Sequence, residues 1–182
     1  MNNCYVLTGA PGSGKTAILR ELADRGFTAI AEPAREVLAQ QRAANGKGVP
    51  EKNPRLFCSL MVSMAVAQFR RMSGGAAPVF FDRGIPDIIA YARLFGVDAS
   101  AEEFAARTHR YNELVFITPS WSFIYTLDEE RTMTFEAARV FGDQCRAVYS
   151  DLGYEVVDVP LGSPRERAEF VVNAVLEQQR RA

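Results

Sequence analysis

The sequence is poor in the residues that bind transition metals or form disulfide bonds. It has one histidine, and its three cysteines, Cys4, Cys58 and Cys145, lie far apart in the chain. No two cysteines have the C-x-x-C spacing of zinc or redox sites, which argues against both kinds of site. An odd number of separate cysteines is typical of a reducing compartment, so we expect a cytoplasmic protein.

The sequence also lacks a strong net charge and a long apolar run. Lys and Arg number 21 and Asp and Glu number 22, for a net charge of −1. This balance argues against broad nucleic-acid binding and against binding to an anionic membrane surface. The most apolar run, residues 56–67, contains serines and is too short to span a bilayer, so we predict a buried helix there.

The length and the N-terminus set the expected organisation. A chain of 182 residues is large enough for one full core, so we expect one domain over residues 1–182. We expect no signal peptide, because a glycine-rich motif begins at residue 9.

That glycine-rich motif fits the pattern G-x-x-x-x-G-K-[ST] of a phosphate-binding loop. It reads Gly9-Ala10-Pro11-Gly12-Ser13-Gly14-Lys15-Thr16. The glycines allow tight turns that bring backbone N–H groups against phosphate oxygens. Lys15 places an ammonium on the outer phosphates, and the Thr16 hydroxyl is a candidate Mg²⁺ ligand. The motif predicts binding of ATP or GTP with Mg²⁺.

The flanking residues support this interpretation. Residues 4–8 are predicted to form a buried strand, and residues 17–22 to form an amphipathic helix. A strand, a glycine-rich loop and a helix in that order are the context that a phosphate-binding loop requires. The helix presents its positive N-terminal end to the anion.

A second candidate site follows the next predicted strand, residues 27–31. The strand ends at Glu32-Pro33-Ala34-Arg35, and Pro33 suits the first turn of a helix. Glu32 therefore lies at the carboxyl end of a strand, where open α/β sheets bind their ligands. We consider Glu32 a candidate to orient or deprotonate an acceptor hydroxyl, with Arg35 one turn later as a substrate contact. The alternatives are a solvated helix-start acid and an arginine paired locally.

The third informative segment is an apolar strand over residues 78–81 that delivers Asp82 and Arg83. Asp82 is the natural second ligand for Mg²⁺, opposite Thr16, although it could also cap the following helix. Arg83 is a candidate to hold an anionic substrate or the transferring phosphoryl group. Asp87 and Tyr91 lie one turn apart on the next helix, as substrate contacts or as a cap and a core aromatic.

The rest of the chain continues the alternation of strands and helices. Further strands are predicted at residues 114–117 and 154–159. Between them, Arg131 and Arg139 near the start of a long helix are candidates for a closing lid around residues 120–140, or for ordinary surface charges. Five short apolar strands alternating with helices predict an α/β protein with a parallel sheet covered on both faces.

The motifs resemble those of P-loop kinases, and most closely the AAA-type domains that include the ribosylnicotinamide kinase domain of NadR proteins. The phosphate loop, the E-x-x-R segment at residues 32–35 and the D-R-G segment at residues 82–84 carry the resemblance, which covers nearly the whole chain. It implies the strand order 2-3-1-4-5 and a helical lid. By similarity to deoxynucleoside kinases, it also implies Glu32 as base and Asp82 as magnesium partner.

These observations predict an ATP- and Mg²⁺-dependent phosphotransferase that acts on a small, nucleoside-like hydroxyl compound. The N-K-x-D motif of regulatory GTPases is absent, and Arg83 stands where many motor ATPases carry a water-polarising glutamate. A nucleotide-binding regulator and a slow or partner-dependent ATPase are the alternatives. We expect no nucleic-acid or membrane partner.

Overall fold

A computed structural model describes residues 2–125 and 133–181 of the chain. Five parallel strands form one sheet in the order β2-β3-β1-β4-β5, which confirms the expected order. Their bounds are β1 Cys4–Gly9, β2 Thr28–Ile30, β3 Val79–Asp82, β4 Leu114–Thr118 and β5 Glu155–Asp158.

Helices cover both faces of this sheet. They are α1 Lys15–Asp24, α2 Pro33–Ala43, α3 Pro54–Met72, α4 Ile85–Leu94, α5 Ser100–Thr108, α6 Phe135–Asp151 and α7 Pro164–Arg181, with a 3₁₀ turn at Ser122–Ile124. Helices α1 and α7 pack together on one face, and α2 to α6 cover the other. The central strands β1, β3 and β4 are buried along their whole length, as expected for strands with helices on both sides.

Local signals explain where several helices begin and end. Pro33 and Pro54 occupy the first turns of α2 and α3, and the Asn53 side chain caps α3 by accepting from the Leu56 N–H at 2.9 Å. Gly26 follows α1 with φ +88°, in the left-handed conformation that glycine tolerates best. At α7, Ser163 and Glu166 form the reciprocal bonds of a capping box.

Strand register brings the candidate residues to one edge of the sheet. Leu7 of β1 pairs with Asp82 of β3, and Gly9 pairs with Thr118 of β4. The phosphate loop therefore emerges between the ends of β3 and β4. Within the described residues, no helix combines the length and the apolarity needed to cross a bilayer.

Candidate nucleotide and acceptor site

The phosphate loop has the backbone shape that its glycines permit. Gly9, Gly12 and Gly14 have φ values of +121°, +76° and +88°, which side chains with a Cβ rarely adopt. Gly9 also approaches β4 closely, because a Cβ there would lie 2.2 Å from the Thr118 carbonyl oxygen. The Ser13 hydroxyl donates to the Ala10 carbonyl at 2.6 Å and closes the turn. The loop is thus a preformed concave run of backbone leading into α1.

Lys15 is folded back into this loop. Its ammonium donates to the carbonyl oxygens of Ala10 at 2.8 Å and Gly9 at 3.3 Å, and the residue is 6% exposed. Burial, with a smaller contribution from the nearby Arg83 guanidinium, lowers the pKa of Lys15 to about 8. A bound phosphate would offer this cation a full negative charge in place of carbonyl dipoles.

Thr16 and Asp82 meet at the mouth of the loop. The Thr16 hydroxyl donates to Asp82 Oδ2 at 3.3 Å, while Asp82 Oδ1 is buried and has no partner among the described residues. Burial raises the pKa of Asp82, and the negative charge of Glu32 adds to the effect. Asp82 Oδ1 and the neighbouring Thr16 hydroxyl therefore provide two oxygen ligands of the kind that Mg²⁺ prefers.

Magnesium commonly takes one or two protein oxygens and completes its shell with water and substrate phosphates. No group of three His, Cys, Asp or Glu side chains able to hold a metal occurs in residues 2–125 and 133–181. A dedicated protein cage is thus not seen in that part of the chain, whereas a shared site with the nucleotide fits the residues present.

Glu32 lies next to this pair, held by three donors. Its Oε1 accepts from Arg83 Nε at 3.0 Å and from the Tyr91 hydroxyl at 3.1 Å, and its Oε2 accepts from Arg35 Nε at 3.3 Å. The Glu32 side chain is 11% exposed, whereas Arg35 is 53% exposed. Four of the predicted site residues are thus brought into one network around a single carboxylate.

Arg83 differs from the expectation of an open anion-binding group. It has φ +68°, is 4% exposed and pairs with Glu32 and with Asp87, whose Oδ1 accepts from Nη1 at 3.0 Å. Its guanidinium also lies 5.3 Å from the centre of the Phe141 ring. The surrounding negative charges raise the pKa of Arg83 despite the burial. Because two carboxylates already match the charge of Arg83, its side chain serves to hold Glu32 and Asp87 in position.

Asp87 likewise differs from the expected substrate contact. It is 1% exposed, and Thr8, Arg83, Tyr149 and the Gly84 N–H all donate to its two oxygens. The Tyr149 bond measures 2.7 Å and the Gly84 bond 2.9 Å. These donors leave little capacity for a ligand, so in this geometry Asp87 ties β1, the start of α4 and α6 together.

Of the two expected lid arginines, Arg139 is the one that the structure describes, and it pairs within its own helix. Arg139 is 47% exposed and forms ion pairs with Glu136 at 2.6 Å and Asp143 at 3.0 Å, both on its own helix α6. Arg131 lies outside the described residues, as does part of the lid expected around residues 120–140.

Helix α6 contributes residues that sequence patterns did not reveal. Gly142 faces the loop so closely that a Cβ would lie 3.0 Å from the Ala10 nitrogen. Cys145, one turn on, accepts from Arg83 Nη1 at 3.9 Å. The sequence feature that could have indicated this contact is a glycine in the interior of a helix, where glycine is unfavourable unless close packing requires it.

Arg167 of α7 also lies at the phosphate loop, and the sequence patterns did not reveal this contact either. Its Nη1 donates to the Ser13 carbonyl at 2.8 Å, and the residue is 2% exposed. The signal was a cation within the apolar stripe of α7 that also holds Ala168, Val171 and Val175. Such a stripe normally packs on a sheet and carries no charge.

A hollow beside Glu32 could receive an acceptor. It leaves a volume of only about 10 Å³ between the Glu32, Arg83 and Tyr91 side chains and an apolar wall that includes Met61 and Ile88. Pockets for drug-sized ligands usually exceed roughly 300 Å³. A nucleoside-sized acceptor therefore requires the hollow to widen.

The fold and this loop define a P-loop protein. The profile of one family, described as AAA domain, matches residues 4–167. The chain belongs to that family, in agreement with the resemblance drawn from its motifs.

Solved structures share the fold. NadR protein in complex with NR superposes with a TM-score of 0.69 at 21% identity, over 96% of this chain and 50% of that one. Deoxyadenosine kinase from M. mycoides gives 0.64 at 15% identity, over 96% and 98%. Shikimate kinase from Acinetobacter baumannii gives 0.62 at 16% identity, over 98% and 94%. The chain thus spans about half the length of the NadR chain, and no curated protein matched its sequence.

Proposed function

We propose that the protein is an ATP- or GTP-dependent, Mg²⁺-dependent phosphotransferase whose acceptor is a small, nucleoside-like hydroxyl compound. One observation carries the proposal. The candidate metal ligand Asp82 precedes Arg83 directly, and Arg83 Nε holds the candidate base Glu32 at 3.0 Å. A single strand end therefore links the phosphate side of the site to the acceptor side.

The chain's own residues have distinct tasks in this proposal. The loop Gly9–Thr16 binds the phosphates with its backbone N–H groups, and Lys15 exchanges loop carbonyls for phosphate oxygens. Thr16 and Asp82 would hold Mg²⁺, which when bound neutralises phosphate charge. Glu32 orients the acceptor hydroxyl and takes its proton, with Arg83 and Tyr91 setting the direction of the carboxylate.

The remaining predicted residues act at the edges of the site. Arg35 is exposed enough to turn from Glu32 toward an acceptor. Arg131 and Arg139 stay candidates for a lid that closes over the phosphates, which for Arg139 means leaving Glu136 and Asp143. Arg83 and Asp87 support this arrangement from inside the fold.

The named structures support the choice of acceptor class. They include a deoxyadenosine kinase, a shikimate kinase in complex with shikimate, and NadR protein in complex with NR. Their fold is shared by this chain, and the acceptor class is inferred from them together with the hollow beside Glu32. A single domain and a cytoplasmic location stay predictions.

Steady-state assays with Mg²⁺ and ATP or GTP test the proposal. The purified protein is assayed against nucleosides, nicotinamide riboside, shikimate and amino sugars, with the Lys15→Ala variant as the control. We expect acceptor-dependent release of nucleoside diphosphate with at least one compound, and none with the variant. No acceptor-dependent release across the panel would count against a kinase.

A nucleotide-binding regulator, or an ATPase that is slow or needs a partner, is the second candidate. The small volume of the hollow, about 10 Å³, and the engagement of both Glu32 oxygens favour it. It predicts tight nucleotide binding with negligible turnover, or turnover that appears only with a partner protein.

A further inference from the structure

The N-terminus of α7 brings a buried arginine to the phosphate loop, and no carboxylate in the part of the chain that the structure describes pairs with it. Arg167 is 2% exposed, and among the described residues only its Nη1 has a partner, the Ser13 carbonyl at 2.8 Å. Its Nε and Nη2 are buried and unpartnered within residues 2–125 and 133–181, and it forms no ion pair there. This differs from Arg83, which is equally buried but has two carboxylates.

The surroundings of Arg167 are electropositive. It lies in the first turn of α7, and a Cβ on Gly14, which caps α1, would stand 2.7 Å from its Nη1. Helix N-termini carry partial positive charge, so both helix ends oppose a cation. Burial also lowers the pKa of Arg167. A buried cation in such a place is costly unless an anion joins it.

The position indicates where that anion comes from. Arg167 contacts the Ser13 and Gly14 end of the loop, on the side where α1 begins, whereas Lys15 is folded toward Gly9 and Ala10. In phosphate loops the backbone cradles the α- and β-phosphates, and the lysine reaches the β- and γ-phosphates. We propose that Arg167 is a nucleotide-binding residue whose unpartnered N–H groups donate to a non-transferred phosphate of the bound nucleotide.

This inference rests on the nucleotide binding in the proposed function, but not on the kinase activity. An arginine fork binds phosphate with charge-assisted, often paired hydrogen bonds. The nucleotide then satisfies donors that the protein alone leaves open. Two consequences follow. Arg167 contributes alike to ADP and ATP binding, and it contributes little to the stability of the nucleotide-free protein.

Binding and melting measurements on four proteins test this. The wild type is compared with Arg167→Met, Arg167→Lys and the matched control Arg165→Met, which removes an exposed arginine from the same helix. The ligands are ATP, ADP and inorganic tripolyphosphate, each with Mg²⁺, and dissociation constants are measured by calorimetry. Melting temperatures are also recorded without ligand.

We expect Arg167→Met to weaken the binding of ATP and of ADP by a similar factor of about ten to one hundred, because each complex loses a charged hydrogen bond. The binding of tripolyphosphate should weaken as well, while the ligand-free melting temperature stays near that of the wild type. Arg167→Lys should retain part of the affinity, and Arg165→Met all of it. If Arg167→Met does not fold, the comparison of Arg167→Lys with the wild type still tests the inference, because lysine keeps the positive charge but lacks the paired N–H donors of the guanidinium.

Several results would overturn the inference. Wild-type affinity in both Arg167 variants would do so, and so would a loss of ATP binding with tripolyphosphate binding intact, which would assign Arg167 to the nucleoside. A large fall in ligand-free melting temperature with unchanged affinity would make its role structural. If the wild type binds nucleotide but turns over no acceptor, only the kinase proposal fails. If it binds no nucleotide, both fail.

Discussion

Replacing Asp87 with asparagine tests whether the buried charges below the phosphate loop hold the site and fold together. Asp87 is 1% exposed and carries the negative charge opposite Arg83, which is 4% exposed. Removing one partner of a buried ion pair costs about 3–5 kcal/mol, because the other charge stays buried. Glu32 still pairs with Arg83, which places the expected loss at the lower end of that range.

Asparagine also brings a geometric conflict. Both oxygens of Asp87 accept hydrogen bonds, and Oδ2 takes the Tyr149 hydroxyl at 2.7 Å and the Gly84 N–H at 2.9 Å. An amide replaces one acceptor with a donor, so at least one buried donor loses its partner at about 1–3 kcal/mol. These two costs overlap, and we expect a total loss of about 3–5 kcal/mol, a large share of the roughly 5–15 kcal/mol typical of a domain.

Equilibrium unfolding in urea measures this loss. With a denaturant dependence of roughly 2–3 kcal/mol per molar, the midpoint should fall by about 1–2.5 M. Asp143→Asn is the matched control, because Asp143 is 66% exposed in its pair with Arg139. An exposed pair contributes less than about 1 kcal/mol. A midpoint for Asp87→Asn as close to wild type as that of the control would refute the reasoning.

Three further predictions concern the site itself. Because burial lowers the pKa of Lys15 to about 8, nucleotide affinity should fall as the pH rises through that value. Without ligand, Lys15 of the folded protein loses its proton near pH 8, whereas Lys15 of the unfolded chain keeps it up to about pH 10.5. The Lys15 contribution to the free energy of unfolding should therefore rise between those two pH values. Affinity titrations and urea unfolding across this range check both, and flat profiles would contradict them. Glu32→Gln should lower turnover roughly 10²–10⁴-fold with nucleotide affinity nearly unchanged, and unchanged turnover would remove Glu32 from the role of base. Since burial and Glu32 raise the pKa of Asp82, Asp82→Asn should not lower the ligand-free melting temperature but should abolish the extra ATP stabilisation that Mg²⁺ gives over EDTA; an undiminished Mg²⁺ effect would argue against a metal role.

What the sequence determined by itself was mostly local. The loop Gly9–Thr16, the proline and Ser163 caps and the apolar strands depend on conformational preferences of neighbouring residues, and such preferences can be recognised from a short segment. The same locality placed Glu32 and Asp82 at strand ends. The resemblance to P-loop kinases added the strand order, which adjacent residues do not encode.

Only the tertiary structure decided what these charges touch. Arg83 follows a strand end as expected, but the packing of α4 and α6 buries it between Glu32 and Asp87. Arg167 reaches Ser13 across 154 positions of the chain because α7 packs beside α1. Such pairings depend on the rotation of each helix and on strand register. These quantities are determined by the whole core, so no short stretch of sequence contains them.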